Sequence, residues 1–289
     1  MSTYILYNPV AGHGNAEKEA KQLETLFAGD VVFDDITKIP SLAEFIAPLS
    51  KSDNVIICGG DGTINRFVND TDGVEIKCDV LYYALGTGND FMTDIGKKRG
   101  DEPFSIKEYI KDLPTVEING KTHRFLNNVG FGIDGYCCEV GDNMKKTAKK
   151  VNYTSIAIKG LLFHYKPTSA TVVVDGKEYH YKKVWLAPTM NGRFYGGGMM
   201  PTPAQDRNDP DGNISAMIFY GTNKFKVLTV FPSLFKGEHI KHEKMVAIHK
   251  GKEISVTFDS PAAVQIDGET IVGVTSYKAT SKVIAHVNN

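Results

Sequence analysis

The chain has 289 residues, with 33 Lys and Arg against 34 Asp and Glu and a formal net charge of -1. That balance excludes a surface built throughout for nucleic acid, which carries a clear basic excess. A composition of 42% hydrophobic and 23% charged residues excludes wholesale disorder, and no apolar stretch approaches the roughly 20 residues that cross a bilayer.

The opening run, residues 4–7, has no basic region before it and stops at Asn8-Pro9, so a first strand is expected rather than a signal peptide. Residues 16–27 place Ala16, Ala20, Leu23 and Phe27 at helical spacing. A second strand is expected at 31–33 and a second helix at 41–49, with Ser41 as its N-cap. Strands follow at 54–58 and 80–84, with a helix from 63 to 68 between them. Alternating strands and helices imply a parallel sheet with crossover helices. Beyond about residue 115 the grammar changes. Short strands are expected at 116–118, 122–127, 170–174, 177–185, 214–219, 245–249, 254–258, 263–266 and 272–277. One helix interrupts them at about 142–164, and Asp175-Gly176 makes a hairpin turn. The fold class is therefore α/β plus β. An N-terminal α/β domain (1–120) with a parallel sheet is followed by an antiparallel β-sandwich (121–277), and the tail from about 278 to 289 is open to either domain, a return to the first included. Cys58, Cys78, Cys137 and Cys138 form no C-x-x-C pair and read as inert thiols in a reducing cytosol.

Three strand-to-helix turns are rich in glycine. They are Asn8-Pro9-Val10-Ala11-Gly12-His13-Gly14, Gly59-Gly60-Asp61-Gly62-Thr63-Ile64-Asn65 and Gly86-Thr87-Gly88-Asn89-Asp90-Phe91. In an open parallel sheet such turns gather at the carboxyl edge, where ligands bind. Glycine lets backbone N–H groups approach a phosphate closely, and a helix N-terminus adds a favourable dipole. Neither the G-x-x-x-x-G-K-[ST] nor the G-x-G-x-x-G fingerprint is present. Asp61 and Asp90 lie inside the loops. A carboxylate beside a phosphate cradle is repulsive unless it holds Mg²⁺ or takes a proton, and both roles suit phosphoryl transfer.

Taken with Asn127-Asn-Val-Gly-Phe-Gly132, Asn191-Gly-Arg-Phe-Tyr-Gly-Gly-Gly198 and Gln265-Ile-Asp-Gly-Glu269, these motifs resemble the diacylglycerol kinase catalytic-domain family, which includes soluble bacterial lipid kinases and sphingosine kinases. The resemblance runs through nearly the whole chain in order. It implies a nucleotide-binding α/β domain, a β-sandwich domain and ATP in the cleft. By motif match, ATP falls to Asn8, Pro9, Gly12, Thr37, Gly59, Gly60, Asp61, Gly62, Thr63, Asn65 and Thr87. Glu269 matches the proton acceptor, with Asp267 beside it and Asp61 as a rival for the base. Mg²⁺ is implied at Asp61 and Asp90. A second, structural Mg²⁺ is implied at Asp211, with carbonyls from Asn208 and Asn213. The sequence departs from the family at His13, where Lys is frequent, after Asn89-Asp90-Phe91, where an Arg is usual, and at 199–204.

The resemblance implies a cytoplasmic kinase of a lipid hydroxyl, most simply diacylglycerol, that touches membranes peripherally and does not bind nucleic acid. A homodimer through a β-domain edge is compatible with it. Two other readings stay open: a kinase of a soluble acceptor such as NAD, and a nucleotide- or lipid-binding protein without catalysis. An apolar stretch with Val151, Tyr153, Ile156, Leu161, Leu162, Phe163 and Tyr165 follows Lys145, Lys146, Lys149 and Lys150. It reads either as a lipid-docking helix or as a core-packed helix with a solvated basic end. The second basic stretch, Lys236 to Lys252, reads as a solvated face.

Overall fold

The computed structural model describes residues 1–86, 89–146 and 153–282. The chain divides into two compact units, Met1–Leu113 and Pro114–Asn289.

In the first unit β1 (Ser2–Tyr7), β2 (Asp30–Asp35), β3 (Asn54–Gly59) and β4 (Asp79–Ala84) pair in parallel in the order β2-β1-β3-β4. The short β5 (Phe104–Ser105) closes the edge beside β4, antiparallel to it. The central β3, Asn-Val-Ile-Ile-Cys-Gly, is apolar on both faces and almost wholly buried, as a central parallel strand covered by helices must be. Helix α1 (Ala16–Lys21), extended by a 3-10 turn to Leu26, lays Ala16, Ala20 and Leu23 against Ile5, Ile56 and Cys58. Successive strand residues face opposite ways, so Tyr4 points to the other side. There it meets Phe45 of α2 (Leu42–Ile46), ring centroids 5.2 Å apart. Helices therefore cover both faces. Ser41 caps α2 as expected, its hydroxyl accepting from the Glu44 amide at 3.1 Å. The remaining helices are α3 (Asp61–Asp70), α4 (Asp90–Asp94) and α5 (Lys107–Lys111).

The second unit is antiparallel throughout. Its strands are β6 (Thr115–Ile118), β7 (Lys121–Arg124), β8 (Asn128–Gly132), β9 (Thr168–Val174), β10 (Lys177–Val184), β11 (Leu186–Met190), β12 (Ile214–Phe219), β13 (Val246–Gly251), β14 (Glu253–Ile266) and β15 (Glu269–Thr280). They run β13-β12-β11-β8-β14-β15-β6-β7, with β9 also on β14 and β10 on β9. Phe131 stacks between Phe258 and Tyr277, at 4.5 and 5.3 Å, in the core these strands enclose. The opposite face of β11 and β12 is covered by α6 (Ile133–Lys146), α7 (Tyr153–Lys159) with a π-turn Gly160–His164, and α8 (Lys224–Val230).

The two strands expected at 254–258 and 263–266 are one, β14, whose register shifts between Thr257 and Ala262. That irregularity accommodates Pro261, which cannot donate to a ladder. The sheet already includes β6, so the change of unit falls at Leu113–Pro114 rather than at residue 120. Residues 278–280 pair with β6 in the second unit. The rest of the tail, residues 283–289, lies outside the described residues.

Candidate functional site

The three glycine loops of the first unit leave the carboxyl ends of β1, β3 and β4 and are bonded to one another. The Asn8 amide Nδ2 donates to Thr63 Oγ1 at 3.0 Å, and the Asn8 N–H donates to the Cys58 carbonyl at 2.9 Å. Thr63 Oγ1 also receives the Gly60 N–H at 3.4 Å. Gly59 offers its carbonyl to the N–H groups of Leu85 (2.8 Å) and Gly86 (3.1 Å) and to the Tyr82 hydroxyl (3.0 Å). The glycines are required by this closeness. A Cβ at position 59 would lie 2.3 Å from Thr63 Oγ1, and one at position 86 would lie 2.8 Å from the Gly60 Cα. Gly12 has a φ of 61°, in the left-handed region where glycine is favoured, and approaches the Leu85 carbonyl.

Asp61 begins α3, and its Oδ2 accepts the N–H groups of Asp90 (2.7 Å) and Phe91 (3.4 Å) at the start of α4. The Asp61 carboxylate of one loop is thus held against the backbone that carries Asp90 in another. The oxygen chemistry of the two acids is the kind that suits a hard cation such as Mg²⁺. Thr37 sits in the turn after β2, where its hydroxyl and amide both donate to Asp35 Oδ1, at 2.6 and 2.9 Å. Burial acts to raise the Asp35 pKa, but the Thr37 and Lys38 hydrogen bonds outweigh it and hold the carboxyl below its ordinary value. Thr37 therefore lies at the expected edge with its proton already committed. Thr63 and Asn65 are buried in α3, and Thr87 lies outside the described residues.

In the second unit the Asp-Gly-Glu motif forms the β14–β15 turn, with Asp267 (φ 47°) and Gly268 (φ 92°) in left-handed conformation. The Asp267 carboxylate accepts three consecutive backbone N–H groups, from Leu126 (2.5 Å), Asn127 (2.8 Å) and Asn128 (2.9 Å). Asn191 and Arg207 brace the same segment, donating to the Leu126 carbonyl at 2.9 and 3.3 Å. Arg207 also donates to Asn127 Oδ1 at 2.9 Å. Asp267 is thus committed to holding the start of β8. Glu269 is the exposed acid of the motif.

Sequence reasoning missed Asp134. It is buried at the start of α6, where its carboxylate accepts from the Gly135 N–H (2.9 Å) and from Gln265 Nε2 (3.2 Å). Burial raises its pKa, while Gly135, Gln265 and Tyr195 act to lower it. Gln265 Oε1 in turn accepts the Gly268 N–H at 2.9 Å, so Asp134 supports the turn that presents Glu269. The only signal in the sequence was an acid inside an otherwise apolar Gly130-Phe-Gly-Ile-Asp134 run.

The expected structural metal loop is organised by a different residue. Asp209, not Asp211, is buried, and its Oδ1 accepts from the Asp211 N–H (2.9 Å), the Asn213 N–H (3.3 Å) and Asn213 Nδ2 (3.1 Å). Its Oδ2 carries the Lys250 ammonium in a short contact. The Asn213 carbonyl receives Gln205 Nε2 at 2.8 Å. Asp211 and Asn208 are exposed. The Lys250 ammonium pairs with Asp209 and so closes the loop internally, while the donors expected for a divalent ion, Asp211 with the Asn208 and Asn213 carbonyls, are a separate set. Among the described residues no three His, Cys, Asp or Glu are placed to share a metal.

Comparison with known proteins agrees with this division. Residues 2–117 match the diacylglycerol kinase catalytic domain, and residues 127–283 match the YegS C-terminal NAD kinase beta sandwich-like domain. A diacylglycerol kinase of Mycobacterium tuberculosis is 26% identical over 87% of this chain and 83% of its own length. A crystal structure of a diacylglycerol kinase from Bacillus anthracis superposes with a TM-score of 0.65 at 21% identity, covering 97% of this chain and 94% of that one; at that identity it speaks for the fold. The chain belongs to the diacylglycerol kinase catalytic-domain family of lipid kinases.

Proposed function

We propose that the protein transfers the γ-phosphoryl group of ATP, with Mg²⁺, to a lipid hydroxyl, and that diacylglycerol is the acceptor and phosphatidic acid the product. The observation that carries this reading is the bonding of three glycine loops around one sheet edge, with the Asp61 carboxylate held against the backbone of Asp90. The N–H groups and the α3 N-terminus would hold the phosphates of ATP, with Asn8, Pro9, Gly12, Thr37, Gly59 to Thr63, Asn65 and Thr87 around the nucleotide. Asp61 and Asp90 would hold Mg²⁺, which when bound neutralises charge developing on the transferred phosphoryl group. Glu269 would take the proton of the acceptor hydroxyl as its oxygen bonds to phosphorus. Asp267 and Asp134 would position that base through the backbone of the turn. The acceptor identity draws support from the M. tuberculosis relative's name, and a long-chain acceptor would bring the enzyme to a membrane surface.

The test is incubation with labelled ATP and Mg²⁺ followed by extraction into organic solvent. A panel of diacylglycerol, monoacylglycerol, sphingosine, ceramide and phosphatidylglycerol identifies the acceptor. Label in phosphatidic acid is the expected result. Label only in NADP, or ATP binding with no turnover of any lipid, would overturn the reading.

A further inference from the structure

Two stretches of the sequence, residues 143–174 and 212–237, contain no Asp or Glu, yet they hold nine of the chain's 33 cationic residues. In the second unit residues 153–166 of the first stretch and 224–234 of the second fold against each other; Lys149, Lys150 and Val151 lie outside the described residues. Lys224 Nζ donates to the Leu162 carbonyl at 3.0 Å. Ile156 and Leu161 from the first stretch share a buried cluster with Val227, Val230 and Leu234 from the second, seated on Trp185 and Phe219. The core-packed reading of this segment therefore holds for Ile156 and Leu161. The packing leaves aromatic side chains outside: Phe163 is 74% exposed and Phe225 is 67% exposed. Lys159, Lys166, Lys224 and Lys226 are exposed on the same elements.

Both aromatic rings are presented by ordered backbone. Asn223 caps α8, its Oδ1 accepting the Lys226 N–H at 3.0 Å, which fixes Phe225 in the first turn. The π-turn bearing Phe163 is closed by the Tyr165 N–H on the Gly160 carbonyl at 2.8 Å. Exposed Phe is disfavoured in water and favoured at a bilayer interface, where acid-free Lys clusters add attraction to anionic headgroups.

We infer that this face docks on a bilayer bearing anionic headgroups, with Phe163 and Phe225 inserted between headgroups and the lysines on their phosphates. The complementary charge selects an anionic partner, and the choice of a bilayer over an acidic protein rests on the lipid-kinase reading above.

The experiment is co-sedimentation of the full chain with phosphatidylcholine vesicles, with and without phosphatidylglycerol. Binding is expected only with phosphatidylglycerol and weakens with salt. The double variant Lys224→Gln/Lys226→Gln should lose roughly fivefold per lysine. The Phe163→Ser/Phe225→Ser variant should lose at least about tenfold. Both variants should phosphorylate a short-chain, water-soluble diacylglycerol as the wild type does. Unchanged vesicle binding by the folded Phe variant would overturn the inference. So would wild-type binding to polyglutamate beads as tight as to vesicles and unaffected by the Phe changes, which would assign the face to an acidic protein. If the wild type binds the anionic vesicles, the Phe variant does not, and the wild type phosphorylates no lipid, the kinase reading fails and the docking face stands.

Discussion

Asp267 and Glu269 stand two residues apart with the same charge, yet the backbone treats them oppositely. Asp267 receives three N–H groups, so both of its carboxylate oxygens are committed to the backbone rather than to an acceptor hydroxyl. Glu269→Gln should therefore lower kcat by about 10²–10⁴-fold with Tm and ATP binding unchanged. Asp267→Asn should instead lower stability by about 2–3 kcal/mol, since it replaces a charged acceptor beneath three donors. Thermal melts beside steady-state rates separate the two, and a wild-type rate for Glu269→Gln removes it as the base. The motif was legible in the sequence, but the division of labour within it was not. That division depends on Leu126, Asn127 and Asn128, some 140 residues away. Asp134 was hidden for the same reason, because its burial comes from partners such as Gln265 on β14.

At the scale of elements, legibility follows local pattern. The strands that end in glycine loops were read nearly to the residue, because an apolar run stopped by Gly is a short-range signal. Helix α6 was read nine residues late. Its early glycine, Gly135, is unfavourable to a helix, but a Cβ there would lie 2.2 Å from the Ala263 carbonyl. Tertiary closeness thus selected a residue that conceals the helix. The same contrast governs the 206–213 loop, where the motif drew attention to Asp211 but the packing buries Asp209 beside Lys250. Lys250→Met should cost about 1–2 kcal/mol, since the ammonium is half-exposed while Asp209 is buried. Chelation with EDTA should leave the wild-type Tm unchanged. Burial acts to raise the Asp209 pKa, but the Lys250 and backbone hydrogen bonds outweigh it and place it below its ordinary 3.8. Its stabilisation is therefore complete above that value and fades as pH falls through the lowered one. Acid titration of Tm should show a smaller drop in Lys250→Met than in wild type. A loss of Tm on chelation in the wild type would instead place a metal in this loop.

At the scale of the molecule, the net charge of -1 conceals an uneven distribution, with two acid-free segments whose described parts pack together in the second unit and expose Lys159, Lys166, Lys224 and Lys226. The proposed roles are also divided. The expected nucleotide loops all belong to Met1–Leu113, and the proposed base and its supports all belong to Pro114–Asn289. This division was legible because the hydrophobic period switches near residue 115. It has a calorimetric consequence, because units with separate cores need not unfold as one. ATP with Mg²⁺ at about 100 times its Kd stabilises the state that binds it by about 2.7 kcal/mol. For a unit near the size of the first, that corresponds to roughly 10 °C. Two transitions are expected by scanning calorimetry, and the nucleotide should raise one of them alone. Asp267→Asn and Lys250→Met should lower the other. Gly86→Ala, which forces a Cβ against the Gly60 backbone, should lower the ATP-sensitive transition and abolish its shift. If nucleotide and β-domain substitutions moved the same single transition, the two units would be one cooperative structure. The division of proposed roles between them would then be one of chemistry without a matching division of stability.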